Sequence, residues 1–272
     1  GEYVVLNKAG LESLAASVNE GTTYQKKTVL LMNDIDLNNE DWTPIGYTSK
    51  AGSRPFSGTF DGQNHTISNL SINRPTKNDI GLFGYTTNGL VKNLNVKNAD
   101  IEGYLNVGVV AGTPYTSKYE NITVTGDVQV KGMSYVGGVF GKNVYANLTN
   151  IKLEANAGSQ VFVNSVEEGK AYRTYAGGIA GFVAEGNHVL TNISSNIDVY
   201  GTTCDVGGLT GIAHEGTSYV NCTITGNVYI THGTELSDAE EIGGLAGVWM
   251  QNGRDVTFTN CTFTGKLSAK YF

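Results

Sequence analysis

Two short hydrophobic rhythms recur along this chain and keep step with each other. The first is an apolar residue, one or two glycines, a second apolar residue, a small or aromatic residue and a closing glycine. It occurs at Ile80-Gly81-Leu82-Phe83-Gly84 and again from Val107 to Gly112, Val136 to Gly141, Ala176 to Gly181, Val206 to Gly211 and Ile242 to Gly247. The closing glycines are separated by 28, 29, 40, 30 and 36 residues. The second rhythm is an asparagine followed by apolar alternates, at Asn93, Asn121, Asn150, Asn192, Asn221 and Asn260, with an earlier relative at Asn69. A third, shorter alternation follows at Asp100-Ile101, Asp127 to Val130, Asp198-Val199, Asn227 to Ile230 and Lys266 to Ser268.

Alternation with period two marks strands, and three short strands in roughly thirty residues describe one coil of a parallel solenoid. The expected fold is therefore all-β, a right-handed parallel β-helix of about six regular coils. Glycine should repeat where backbones approach too closely for a Cβ. Asparagine should repeat at a corner, where it tolerates left-handed dihedrals and its amide can bond the same amide one coil away.

The N-terminus follows a different rule. Leu11, Leu14, Ala15 and Val18 lie at helical spacing, with Asn7 as N-cap and Gly21 as stop, so residues 1–27 are expected to form a capping helix segment on a continuous β-helix domain, 28–272. Residues 267–272 are strand-like and lack a cap, so a further element or a continuing chain is expected over that edge.

The boxes at 81 to 84 and 136 to 141, each followed by a Val/Leu-x-Asn-Leu/Ile strand, resemble the GLUG-motif repeat proteins. The opening segment Asn33-Asp34-Ile35-Asp36-Leu37, Trp42-Thr43-Pro44-Ile45-Gly46 and Phe60 to Ile67 is similar to the start of many of them. The resemblance runs from about residue 28 to 265. It implies a secreted or outer-membrane-anchored, adhesin-like protein of Gram-negative bacteria. It also implies kinship with an accessory, non-catalytic region of some secreted immunoglobulin A peptidases.

Composition agrees with strands and tight turns: 36 Gly, 15 Tyr, 4 Pro and 16% charged residues in 272. A net charge of -7 without a Lys/Arg cluster argues against nucleic acid and against an anionic membrane surface as partners. No apolar run approaches the ~20 residues of a membrane-spanning helix, so direct membrane insertion is not expected. Cys204, Cys222 and Cys261 are odd in number and do not make a disulfide framework; Cys222 and Cys261 share the phase of Ile122 and Ile151 and are expected to be buried.

No catalytic, metal or cofactor set emerges from the motifs. His214-Glu215 opens a zinc-protease motif, but Ser218 stands where the second histidine belongs. Asp34, Asp36 and Asn38 resemble the start of a calcium loop that lacks its glycine and its closing glutamate. Asp100 and Asp127 share a phase on neighbouring coils, which would suit a glycosidase pair, although the same column reads as a polar turn position. Seven acceptor triplets for N-glycosylation begin at Asn64, Asn69, Asn121, Asn147, Asn192, Asn221 and Asn260, mostly ladder positions. The period breaks after Asn150 and after Asn221, in the same half of the repeat. These insertions carry Tyr172, Arg173 and Tyr175, and Glu235, Asp238, Glu240 and Glu241. Loops on a rigid scaffold are where binding concentrates, so Tyr172, Arg173, Tyr175, Glu240 and Glu241 are the expected binding residues. The functional expectation is a non-enzymatic cell-surface or secreted module for a glycan or protein ligand. The alternatives are a carbohydrate-active enzyme and a structural accessory region.

Overall fold

The computed structural model describes residues 1–164, 174–202, 204–232, 241–250 and 252–271. Strands dominate it, and they pair in parallel within three sheets. The register runs from each period to the next. Leu94, Ile122, Ile151, Ile193 and Cys222 form one inward file, and Phe60, Val91, Tyr119, Leu148, Leu190, Tyr219 and Phe258 form another. All of these except Phe258 are buried. Burying such a side chain contributes about 1.5–3 kcal/mol, so each period is stabilised chiefly by its neighbours.

The partition into strands differs from the expected three per period. The glycine box is two strands. Ser134–Gly137 joins a five-stranded sheet and Phe140–Asn143 a six-stranded one, with the chain turning at Gly138-Val139. Conversely, the asparagine strand and the one after it share a single 16-stranded sheet. In Leu90–Glu102 and Lys118–Gly132 they are one continuous strand. The box splits because backbones touch there: a Cβ added to Gly211 would sit 2.7 Å from the Ala176 nitrogen and 2.7 Å from the Gly181 oxygen. Only glycine lets the two periods close to that distance.

The asparagine corner is as expected. Asn93, Asn121, Asn150, Asn192, Asn221 and Asn260 all have φ between 51° and 57°. Each donates its Nδ2 to the side-chain oxygen one period back, at 2.8–3.3 Å. The ladder starts on Asp61, which accepts from Asn93 at 3.1 Å. A first member has nothing behind it to donate to, so a carboxylate suffices there. Asn69, grouped with this file by sequence, belongs to a second ladder instead. It donates to Asp36 at 2.8 Å and accepts from Asn98 at 3.1 Å. The register pairs Leu70 with Ala99, which carries Asn69 to Asn98 and away from Asn93.

At the N-terminal end, the helix Lys8–Asn19 buries Leu11, Leu14, Ala15 and Val18, and Asn7 accepts from the Gly10 N–H at 3.0 Å. A strand the sequence did not announce, Glu2–Val5, precedes it and pairs with Thr28–Leu31, so residues 1–27 also add a strand to the sheet edge. At the other end Ile242, Leu245, Val256 and Phe263 are only partly buried, and Trp249 and Leu267 are exposed. No helix among the described residues is long and apolar enough to cross a membrane.

Candidate functional site

Both insertions leave the scaffold at one corner, after Gln160–Asn164 and after Val228–His232, with Asp198–Thr202 pairing between those two strands. Of the expected binding residues, Tyr172, Arg173 and Glu240 lie outside the described residues, as do Glu235 and Asp238. Tyr175 is not presented to solvent. It opens the strand Tyr175–Gly177, is 4% exposed, and stacks on Tyr135 at 5.7 Å between ring centroids. Ala176 takes the inward position of that strand, and the Tyr175 ring is covered instead by Tyr135 and Phe182 on neighbouring strands. Glu241 is exposed, and its backbone N–H donates to Asp205 at 3.0 Å.

The strands that carry these insertions present something the motif reading passed over. Their sequences are Gln160-Val-Phe-Val-Asn164, Asp198-Val-Tyr-Gly-Thr202 and Asn227-Val-Tyr-Ile-Thr231. The second and fourth residues point inward and the valines and Ile230 among them are buried. The central Phe162, Tyr200 and Tyr229 therefore form an outward file in register, half-buried and about 10 Å long. Tyr200 and Tyr229 lie face to face, 4.5 Å between centroids and 11° from coplanar. Burial against its neighbours, followed by the Asp198 carboxylate and Tyr229, pushes the Tyr200 phenol up from its ordinary value. Gln160, Asp198 and Asn227 line one side of the file; Asn164, Thr202 and Thr231 line the other. The signal was in the sequence as a repeated polar-Val-aromatic-x-polar pentad.

Tyr219 stacks on Phe258 at 4.7 Å and 8°, and Tyr175 on Tyr135, but Tyr219 and Tyr175 are buried. Tyr85, Tyr115 and Tyr145 are 6.4 and 5.9 Å apart but tilted 52° and 74° to one another, so they share no plane. Tyr135 and Phe182 already hold a cation, with the Lys142 ammonium 5.3 and 5.2 Å from their centroids. A polar cleft of about 440 Å³ lies beside Tyr47, Arg74 and Lys77. Asp79 at its base takes hydrogen bonds from the Thr48 N–H and hydroxyl, from Asn106 at 2.8 Å and from Thr113 at 2.6 Å, so its acceptor sites are filled from within.

The carboxylates considered for catalysis do not meet. Asp100 pairs with Gln129, because the register slips between Thr125 and Val128, and Asp127 is carried two positions away. Asp127 instead joins the second asparagine ladder: its N–H donates to Asn98 at 3.1 Å and its carboxylate accepts from Asn156 at 2.8 Å. Asp34 and Asp36 are turn acceptors. Hydrogen bonds from the Thr66 N–H and then His65 hold the Asp34 carboxyl below the usual range, and bonds from the Asn38 N–H and Asn69 do the same for Asp36. Glu215 accepts from the backbone of Asn252 and Arg254 at 3.0 and 3.2 Å.

No family model matches the chain. Over 158 residues, 54% of its length, it is 34% identical to halomucin of Haloquadratum walsbyi. Over 132 residues, 45% of its length, it is 32% identical to a Gly-rich membrane protein of Evansella cellulosilytica. The matched segments span 2% and 14% of those two proteins' own lengths.

Proposed function

We propose that this chain is a non-enzymatic, surface-associated binding module on a right-handed parallel β-helix of GLUG-type repeats, and that its ligand is an extended glycan laid across Phe162, Tyr200 and Tyr229. The helical path is supported by strands that pair in parallel with the strand one period earlier, a connection that is right-handed in about 98% of cases. Surface association draws on the names of the two relatives, a mucin and a membrane protein. The binding reading is carried by one observation: an outward file of aromatic side chains, two of them stacked, with Gln160, Asp198 and Asn227 along one side and Asn164, Thr202 and Thr231 along the other. The outward edges of the stacked rings offer apolar contact and phenol hydroxyls to a sugar, and the flanking amides bond its hydroxyls.

The test is a glycan array read with the intact protein and with Tyr200→Ala and Tyr229→Ala. The expected result is saturable binding to one glycan class, weakened at least about tenfold by either substitution, with an unchanged circular dichroism spectrum. Absence of saturable glycan binding would make the chain a spacer; binding that survives both substitutions would place the ligand elsewhere.

A further inference from the structure

Cys222 and Cys261 stand at the same position of consecutive periods, one residue after a ladder asparagine. The register pairs Val220 with Thr259 and Thr223 with Thr262, which sets Cys222 directly against Cys261. Paired residues on parallel strands lie about 4.8 Å apart, inside the Cα separation of roughly 4.4–6.8 Å that a disulfide spans. Cys222 is buried and Cys261 half-buried, and both are free thiols. Asn260 and Cys261 fall between the strands Thr257–Thr259 and Thr262–Phe263, so ladder bonds do not fix the backbone at Cys261 and its Cβ is able to close the remaining gap. The third cysteine, Cys204, is buried on a different sheet corner.

We infer that Cys222 and Cys261 are an oxidation site, closing an interperiod disulfide that staples the last described period to the one before it. The oxidant is a small-molecule disulfide such as oxidised glutathione. The Cys261 thiolate attacks it, forming a mixed disulfide and releasing one glutathione; Cys222 then displaces the second glutathione, so two thiols are oxidised as one disulfide is reduced. Burial, followed by the neighbouring Cys261, pushes the Cys222 thiol well up, which leaves the more exposed Cys261 as the first to react. The terminal period has most to gain, since its Ile242, Leu245, Val256 and Phe263 are only partly buried.

The experiment incubates the reduced protein with oxidised glutathione, both native and during refolding from urea, and reads intact mass and thiol count. The expected result is loss of two hydrogen masses, one alkylatable thiol left after unfolding, and a thermal midpoint raised by roughly 5 °C or more. Cys261→Ala should abolish all three changes. Three free thiols after both treatments, a glutathione adduct that never resolves, or a bridge to Cys204 would overturn the inference. Glycan binding is read separately, so neither result bears on the aromatic file.

Discussion

Replacing Asn150 by alanine tests the ladder at its middle. The residue has φ of 56°, donates to Asn121 at 2.8 Å and accepts from Asn192 at 2.9 Å. Left-handed backbone costs an alanine about 1–2 kcal/mol that asparagine largely escapes. The two amide bonds are exposed, so each falls near the low end of the usual range, about 0.5 kcal/mol, and neither orphaned neighbour is cut off from water. Asn150→Ala should therefore cost about 2–3 kcal/mol. Asn150→Gly adopts the dihedral freely but loses the same bonds, and its looser unfolded chain costs some tenths more, so it should come out about 1 kcal/mol better than alanine. Urea unfolding followed by circular dichroism measures both, provided the slope against denaturant is unchanged. If alanine costs less than about 0.5 kcal/mol, or glycine costs as much as alanine, the account of the corner as a left-handed, mutually bonded file is wrong.

Three other outcomes follow from the same structure. His188 is 3% exposed, its Nδ1 has no hydrogen-bond partner among the described residues, and burial with the nearby Arg254 cation holds its pKa down to about 4. Between the ordinary value near 6.5 and 4 the unfolded chain takes a proton that the folded one refuses, so stability should fall with falling pH across that window, by about 3 kcal/mol in full. His188→Gln should flatten the slope in pH-dependent melting. Below about pH 3.8 a second loss is expected. There Asp36, held low by the Asn38 N–H and Asn69, and Asp61, where the Gln63 N–H, Asn93 and Lys92 outweigh the cost of burial, take up protons. Asp36→Asn together with Asp61→Asn should remove that part of the acid transition. Gly211→Ala puts a methyl 2.7 Å from two backbone atoms of the preceding period, and a loss of roughly 2 kcal/mol or more, or failure to fold, is expected in thermal unfolding. A neutral result would mean that the periods are not in contact there.

Much of this protein was legible in one dimension. The glycine and asparagine periods, the helix from Lys8 with its Asn7 cap, and the buried phase of Cys222 are local patterns, because each residue type has one physical reason to recur. Register was not legible. The slip between Thr125 and Val128 separated Asp127 from Asp100, and the pairing of Leu70 with Ala99 moved Asn69 to the second ladder. Such shifts depend on how the strand of one period bends against the next, which no single period records. The same holds for the candidate site. The pentads centred on Phe162, Tyr200 and Tyr229 are plain in the sequence, yet an insertion interrupts the spacing between the first two. Only the ladder of parallel hydrogen bonds brings these side chains into one file, while the burial of Tyr175 was decided by Tyr135 and Phe182 packing over it.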